Sequence, residues 1–179
     1  QVLQLMKQQI DDLLLESGID KNRLLGVGIG VPGVIDYKNN YSVFFERING
    51  WENVLIGDII KEYIGKPVYI CNDVNLISWA ERKVAHLEDI KNMLYIIIRS
   101  GIGMAIWNDG SLMQGEMGNS GRIGHMTVDK NGLQCKCGNR GCLGLYTSEK
   151  SMIRMYGELT GKELKWAGEL FPLAEAGDA

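Results

Sequence analysis

Apolar residues recur at helical spacing at the start of the chain: Leu3, Met6, Ile10, Leu13 and Leu14. That period predicts a helix over residues 2–16, stopped at Ser17-Gly18. The period then drops to two. From Leu24 to Val31, glycines at 26, 28 and 30 alternate with apolar residues. This predicts a strand whose glycine face another backbone or a ligand approaches closely. Pro32-Gly33 turns the chain. Val43 to Phe45 predicts a short strand, and Gly57 to Tyr63 a helix with Ile59, Ile60 and Tyr63 inward, closed by Gly65 and Pro67. Val68 to Cys71 is a β-type run. The next helix spans 74–87 with Leu76, Ile77, Ala80, Val84 and Leu87 on one side. Met93 to Ile98 and Ile102 to Trp107 predict two core strands, and Asn108-Asp109-Gly110 supplies hairpin-turn chemistry. Beyond Gly115 the chain is loop-rich, apart from a strand expected at Met126 to Val128. Ser148 caps a helix running to about Tyr156.

Strands and helices alternate, which favours an α/β class. Charged residues cluster from Glu81 to Lys91, and the lobe boundary is placed there, giving residues 1–90 and 91–179 as two parts. The 179 residues, 45% hydrophobic and 23% charged, are ordinary for a globular chain, and a net charge of −3 does not point to nucleic acid or an anionic membrane. The longest apolar run, Met93 to Ile98, is far too short to cross a bilayer. The chain opens without Met inside a helical pattern and closes on Ala176-Gly177-Asp178-Ala179. Both ends read as the interior of a longer protein.

The chemistry concentrates in His125, Cys135, Cys137 and Cys142. Three of the four cysteines fall within eight positions, ten residues after a histidine. Imidazole and thiolate are the ligands tetrahedral zinc prefers, and a Cys3His set closes a structural Zn2+ site with no open position. Gly138 and Gly141 let the short loop fold around one ion, and Lys136 and Arg140 offset its negative charge. The alternatives are free buried thiols or a disulfide. A Cys135–Cys137 bridge would close a strained, tiny ring. Metal-type cysteine spacing places the chain in the cytoplasm.

Other groups carry weaker signals. Gly28-Ile29-Gly30-Val31-Pro32-Gly33 matches the dinucleotide fingerprint formally, but its glycines lie within a strand and no helix follows. A turn presenting main-chain N–H groups to a small polar ligand fits better. Asn72-Asp73 sits at a strand-to-helix junction. Asp73 reads there as a helix cap, or as a carboxylate able to accept a hydroxyl proton at the mouth of a strand; the two roles are compatible. Ser100-Gly101-Ile102-Gly103 reads as a hairpin rather than a phosphate nest. Trp51 reads as a lid or core anchor and His86 as a surface residue. Cys71 and Ser120 lack a visible base partner.

Taken together, these segments resemble the ROK family (repressors, open reading frames and sugar kinases) of the actin-like, ribonuclease-H-like ATPase superfamily. The matching pieces are Gly28 to Gly33, Gly50-Trp51, Cys71 to Asn75, Gly101-Ile102-Gly103, Gly115 to Met126, and Cys135 to Ser148. The resemblance implies a partial two-lobed fold with a zinc-binding loop at 125–142 and a sugar between the lobes. Asp73 takes the position of the catalytic base in the family's kinases. Gly33, Asn49, Asn72, Asp73, Arg122 and His125 are the expected ligand-binding positions. Four departures from the kinase pattern stand out. Arg122 replaces one sugar-binding Glu and Gly144 another. The phosphate turn is altered at Arg99, Met104 and Ala105. The Asp-x-Gly-Gly-Thr phosphate loop and the adenosine region are absent.

Phosphoryl transfer is mostly positioning and charge stabilisation, so these losses remove its machinery. The resemblance therefore implies a zinc-containing, sugar-responsive effector and oligomerisation domain of a ROK transcriptional regulator rather than an enzyme. The alternative is a fragment of an ATP-dependent, glucokinase-like sugar kinase. The implied partners are a monosaccharide effector and a second copy in a homodimer or higher oligomer. DNA is reached only through an N-terminal winged-helix domain that does not lie within these residues. Arg122 fits an acidic or phosphorylated ligand, or an internal ion pair.

Overall fold

The computed structural model describes residues 1–177. The last two positions of the expected second part, Asp178 and Ala179, lie outside the described residues. The chain divides into two compact units, Gln1–Ala80 with Gly115–Asn119, and Glu81–Gln114 with Ser120 onward.

In the first unit, helix α1 (Val2–Ser17) follows the apolar period and ends on Gly18, left-handed at φ 62°. Leu3, Met6, Ile10 and Leu14 lie against the core. A short 3-10 turn, Lys21–Arg23, follows, capped by the Asp20 carboxylate on the Asn22 N–H at 2.8 Å. This cap delays the strand expected from Leu24, so that β1 covers Val27–Val31. Strand β1 pairs in parallel with β5 (Val68–Asn72), with Val27 opposite Val68 and Val31 opposite Asn72. Between them lie β2 (Val34–Asp36), β3 (Tyr41–Phe44) and β4 (Glu52–Val54), an antiparallel sheet in that order, and helix α2 (Ile56–Ile64).

The core of this unit is aliphatic: Val31, Ile35, Ile56, Ile60, Ile64, Val68 and Ile70, joined by Trp51. Trp51 is a core anchor, its indole N–H donating to the buried Ser42 hydroxyl at 2.9 Å. The glycines at and just before β1 meet the expected close approach only in part. A side chain at Gly26 would press on the Pro67 carbonyl, whereas at Gly28 nothing lies within 4 Å.

Helix α3 (Asp73–Val84) differs from its expected apolar stripe. Leu76 and Val84 are exposed, and the buried positions are the polar Asn75 and Ser78. The reason is local hydrogen bonding. Asn75 donates to the Tyr37 hydroxyl at 3.0 Å, and the Ser78 hydroxyl donates to the Asn75 carbonyl at 2.8 Å. Polar groups satisfied in this way occupy the inner face without an unpaired donor.

The second unit carries the antiparallel sheet β6 (Met93–Ile98), β7 (Ile102–Asn108) and β8 (Ser111–Leu112). Arg82 organises its start. The guanidinium lies 4.5 Å from the Trp107 ring centre and donates to the carbonyls of Leu87, Glu88, Ile90 and Gly110. His86 is exposed, with φ 53°. The strand expected at Met126 to Val128 does not form: only an isolated bridge joins Thr127 to Cys142. Three helices follow: α4 (Gly144–Thr147), α5 (Glu149–Thr160) and α6 (Leu170–Glu175). Ser148 caps α5 as expected, accepting from the Ser151 N–H at 3.3 Å.

Candidate metal centre and strand-end site

The metal ligands are delivered by backbone that leaves little room for alternatives. Gly121 runs beside β7, with the Met104 N–H donating to its carbonyl at 3.0 Å. A 3-10 turn, Ile123–His125, then presents the His125 imidazole. Cys135 and Cys137 sit on a tight turn closed by the Cys135 N–H on the Asn139 carbonyl at 2.8 Å and the Gly138 N–H on the Cys135 carbonyl at 3.1 Å. The Gln134 side chain braces that turn through the carbonyls of Gly138 and Asn139. Gly141 is required twice over. Its φ is 62°, and a side chain there would collide with the Asp129 carbonyl. Through it the chain doubles back against Val128 and Leu133, which brings Cys142 fully under cover.

The four donor atoms all lie within 4.8 Å of one another. Cys137 Sγ is 3.6 Å from Cys142 Sγ, and Cys135 Sγ is 3.8 Å from His125 Nδ1. Zinc–sulfur bonds of about 2.3 Å at tetrahedral angles put ligand atoms roughly 3.8 Å apart. The set therefore fits one tetrahedral cation of that size, in donor chemistry and in spacing.

The thiols perturb one another. Burial pushes Cys137 up, but the Asn139 N–H, the two neighbouring thiols and His125 outweigh it and bring it down to about 7. Burial, then the neighbouring Cys135 and Cys137, push Cys142 up to about 12. Thiolates packed this closely would repel, and a cation bound among them would offset that repulsion.

In the first unit, β5 delivers Asn72 and Asp73. The helix cap falls on Asn72, not on Asp73 as the sequence reading had it. Asn72 Oδ1 accepts from the N–H groups of Val74 and Asn75 at 3.1 and 3.2 Å. Its amide also donates to the Gly33 carbonyl at 3.1 Å. Asp73 is the first residue of α3, half-buried, with Oδ1 accepting from the Val74 N–H at 3.0 Å. Asn72 can cap because amide geometry reaches the second and third helical N–H groups from that position.

Gly33, at φ 92°, has no space for a side chain beside the Phe44 carbonyl. Asn49 is exposed in the turn before Trp51, and Arg122 is half-buried at the start of the histidine-bearing turn. Sequence reasoning missed Tyr37 and Asn75, which stand beside this junction. Burial raises the Tyr37 phenol above its ordinary range, and burial likewise raises the Cys71 thiol. No hydrophobic period marks either residue: Asn75 lies outside the expected apolar stripe of its helix, and Tyr37 lies in a turn.

A parallel strand pair ending in Asn-Asp at a helix start, an antiparallel hairpin sheet and a Cys3His loop define an α/β chain of the actin-like ATPase class. The sequence model of the ROK family matches residues 1–179, and the chain belongs to the ROK family. It is 38% identical over 131 residues to a xylose repressor of Bacillus spizizenii, covering 73% of this chain and 34% of that protein. Among solved structures, a ROK family transcriptional regulator, a homologue of the Escherichia coli Mlc protein, superimposes with a TM-score of 0.76 at 28% identity, over 91% of this chain and 41% of that one. A ROK hexokinase from Thermus thermophilus superimposes with a TM-score of 0.75 at 30% identity, over 99% of this chain and 57% of that one. The chain spans about a third of the length of the curated repressors it matches. Among the described residues no helix is long and apolar enough to cross a membrane.

Proposed function

We propose that this chain is part of the sugar-responsive effector and oligomerisation region of a cytoplasmic ROK transcriptional regulator, and that His125, Cys135, Cys137 and Cys142 hold a structural zinc ion. Residues 1–90 and 91–179 then belong to the amino- and carboxy-terminal lobes of the whole protein. DNA is contacted through a domain outside these residues. The observation that carries the reading is a contrast. The four-ligand cluster is complete and correctly spaced, while Arg122 and Gly144 stand where the family's kinases hold sugar with carboxylates. At Gly144 a side chain would already press the Gly124 carbonyl at 3.2 Å, so the local backbone does not favour a larger residue there.

Zinc in this set supplies cross-linking of the loop, with no open coordination position for chemistry. The chain's own residues then frame a ligand. Within the first unit, Asn72 fixes the start of α3, Asp73 presents a carboxylate to a hydroxyl, and Gly33 and Asn49 contribute the turn surfaces.

The test is made on the full-length protein. Elemental analysis is expected to give one zinc per chain. A thermal-shift screen of neutral and phosphorylated monosaccharides is expected to raise the melting temperature with one of them, since a ligand bound only by the folded state stabilises it. ATP-dependent sugar phosphorylation is expected to be absent; measurable turnover would replace this reading with the kinase one, which the hexokinase likeness supports.

A further inference from the structure

We propose that Cys137 and Cys142 form a redox modification site, in which a hydroperoxide joins them as a disulfide and the loop gives up its metal. The inference rests on the zinc reading above, and goes beyond it in naming the pair and the reactant class. Three observations carry it. First, the Cys137 and Cys142 sulfurs are in contact at 3.6 Å, while Cys135 Sγ, within 4.8 Å of both, lies 3.8 Å from His125 Nδ1. Second, the four residues between the two cysteines include Gly138 and Gly141, both at positive φ, so the connecting loop is already wound back on itself. A bridge across it needs less backbone movement than one between Cys135 and Cys137, where a single residue intervenes. Third, access is asymmetric: Cys137 is half-buried and Cys142 fully buried. The first thiolate is open to a small oxidant and the second is sheltered behind it, which is the arrangement of an attacked sulfur and a resolving one.

The chemistry balances as follows. The Cys137 thiolate attacks the distal oxygen of the hydroperoxide; an S–O bond forms, the O–O bond breaks, and the departing alkoxide or hydroxide takes a proton from water. The Cys142 thiolate then attacks Cys137 Sγ, the S–S bond forms, and hydroxide leaves and is protonated. Two electrons pass from the sulfurs to the peroxide. Only Cys135 and His125 remain as ligands, too few to close a tetrahedral site. A small thiol and fresh zinc restore the original state, because the disulfide is reversible where higher oxides are not.

The test uses the full-length protein as purified, with its zinc content measured first. Protein is treated with hydrogen peroxide, released zinc is read with a chromogenic chelator, and remaining thiols are alkylated before peptide mapping by mass spectrometry. The expected result is zinc release in step with a two-dalton loss on the peptide linking Cys137 to Cys142, both reversed by dithiothreitol plus zinc. A Cys71→Ser variant is expected to behave identically. Zinc retained at peroxide levels that oxidise the exposed Met117, or a bridge that maps mainly to Cys135, overturns this proposal and leaves the zinc reading standing. Absence of zinc from the untreated protein overturns both.

Discussion

Asn40 is the loop residue on which the strand-end site depends. It is held at φ 58°, and its amide spans the edge of β5: Nδ2 donates to the Val68 carbonyl at 2.8 Å and Oδ1 accepts from the Ile70 N–H at 2.9 Å. One side chain thus substitutes for a neighbouring strand beside the residues that lead into Asn72 and Asp73. Replacing Asn40 with Ala removes both bonds, at about 1 kcal/mol each for a half-buried pair that water can partly re-solvate. A Cβ residue other than Asn or Asp in the left-handed region adds roughly 1 kcal/mol. The expected loss is therefore about 3 kcal/mol. Asn40→Gly loses the same bonds without the backbone strain, and is expected to be milder by about 1 kcal/mol. Urea unfolding followed by circular dichroism reads both variants against wild type. A loss under about 1 kcal/mol for the Ala variant would refute the hydrogen-bond assignment. Equal losses for Ala and Gly would refute the strain term.

Four further outcomes follow from the same geometry. Cys142→Ala is expected to abolish stoichiometric zinc and to lower the melting temperature; a variant that keeps one zinc per chain by elemental analysis would remove Cys142 from the ligand set. Gly141→Ala, with its side chain driven into the Asp129 carbonyl, is expected to cost at least ~2 kcal/mol and to weaken zinc retention against a chelator titration. Arg82→Lys keeps the charge over Trp107 but loses the planar fork to four carbonyls, for about 2 kcal/mol in urea unfolding followed by circular dichroism. Alkylation of Cys71 is expected to lag behind a free thiol through neutral pH and to catch up only well above the ordinary thiol value of 9.0. Burial raises its pKa, so less thiolate is present at each pH and the rate curve shifts to the alkaline side; a rate equal to that of free cysteine at pH 8 would contradict the burial.

What could be read from the chain alone depended on how local the determining force was. The period of α1 and its Gly18 stop are local, and the helix appears where the spacing put it. The β-type run ending at Cys71 extends by one residue into β5 for the same reason. The three-residue strands β2 and β4 were invisible because neither is long enough to alternate, and their existence depends on pairing with β3 across turns. The strand expected at Met126 to Val128 had the right composition. Its backbone groups go elsewhere, the Val128 N–H to Gly141 and the Met126 carbonyl to Leu143, because the chain there wraps a cluster of four ligands instead of joining a sheet.

The two parts of the candidate site were legible to different degrees, and the reason is chemical. Zinc-type ligands announce themselves by identity, so His125, Cys135, Cys137 and Cys142 could be grouped before their distances were known. A strand-end polar site does not. Asn72 and Asp73 are both good caps, and only the direction of the Asn72 amide, toward Val74 and Asn75 on one side and Gly33 on the other, decides between them. That decision matters for function. With the cap assigned to Asn72, helix α3 starts correctly without requiring the Asp73 carboxylate to hold it, so an Asp73→Asn change separates the two roles. It should leave the unfolding free energy within about 0.5 kcal/mol of wild type, the range of changes away from structural features, while weakening a monosaccharide that binds through a hydroxyl donated to that carboxylate. If the variant instead loses ~1 kcal/mol or more of stability with no change in sugar response, Asp73 is a structural cap after all.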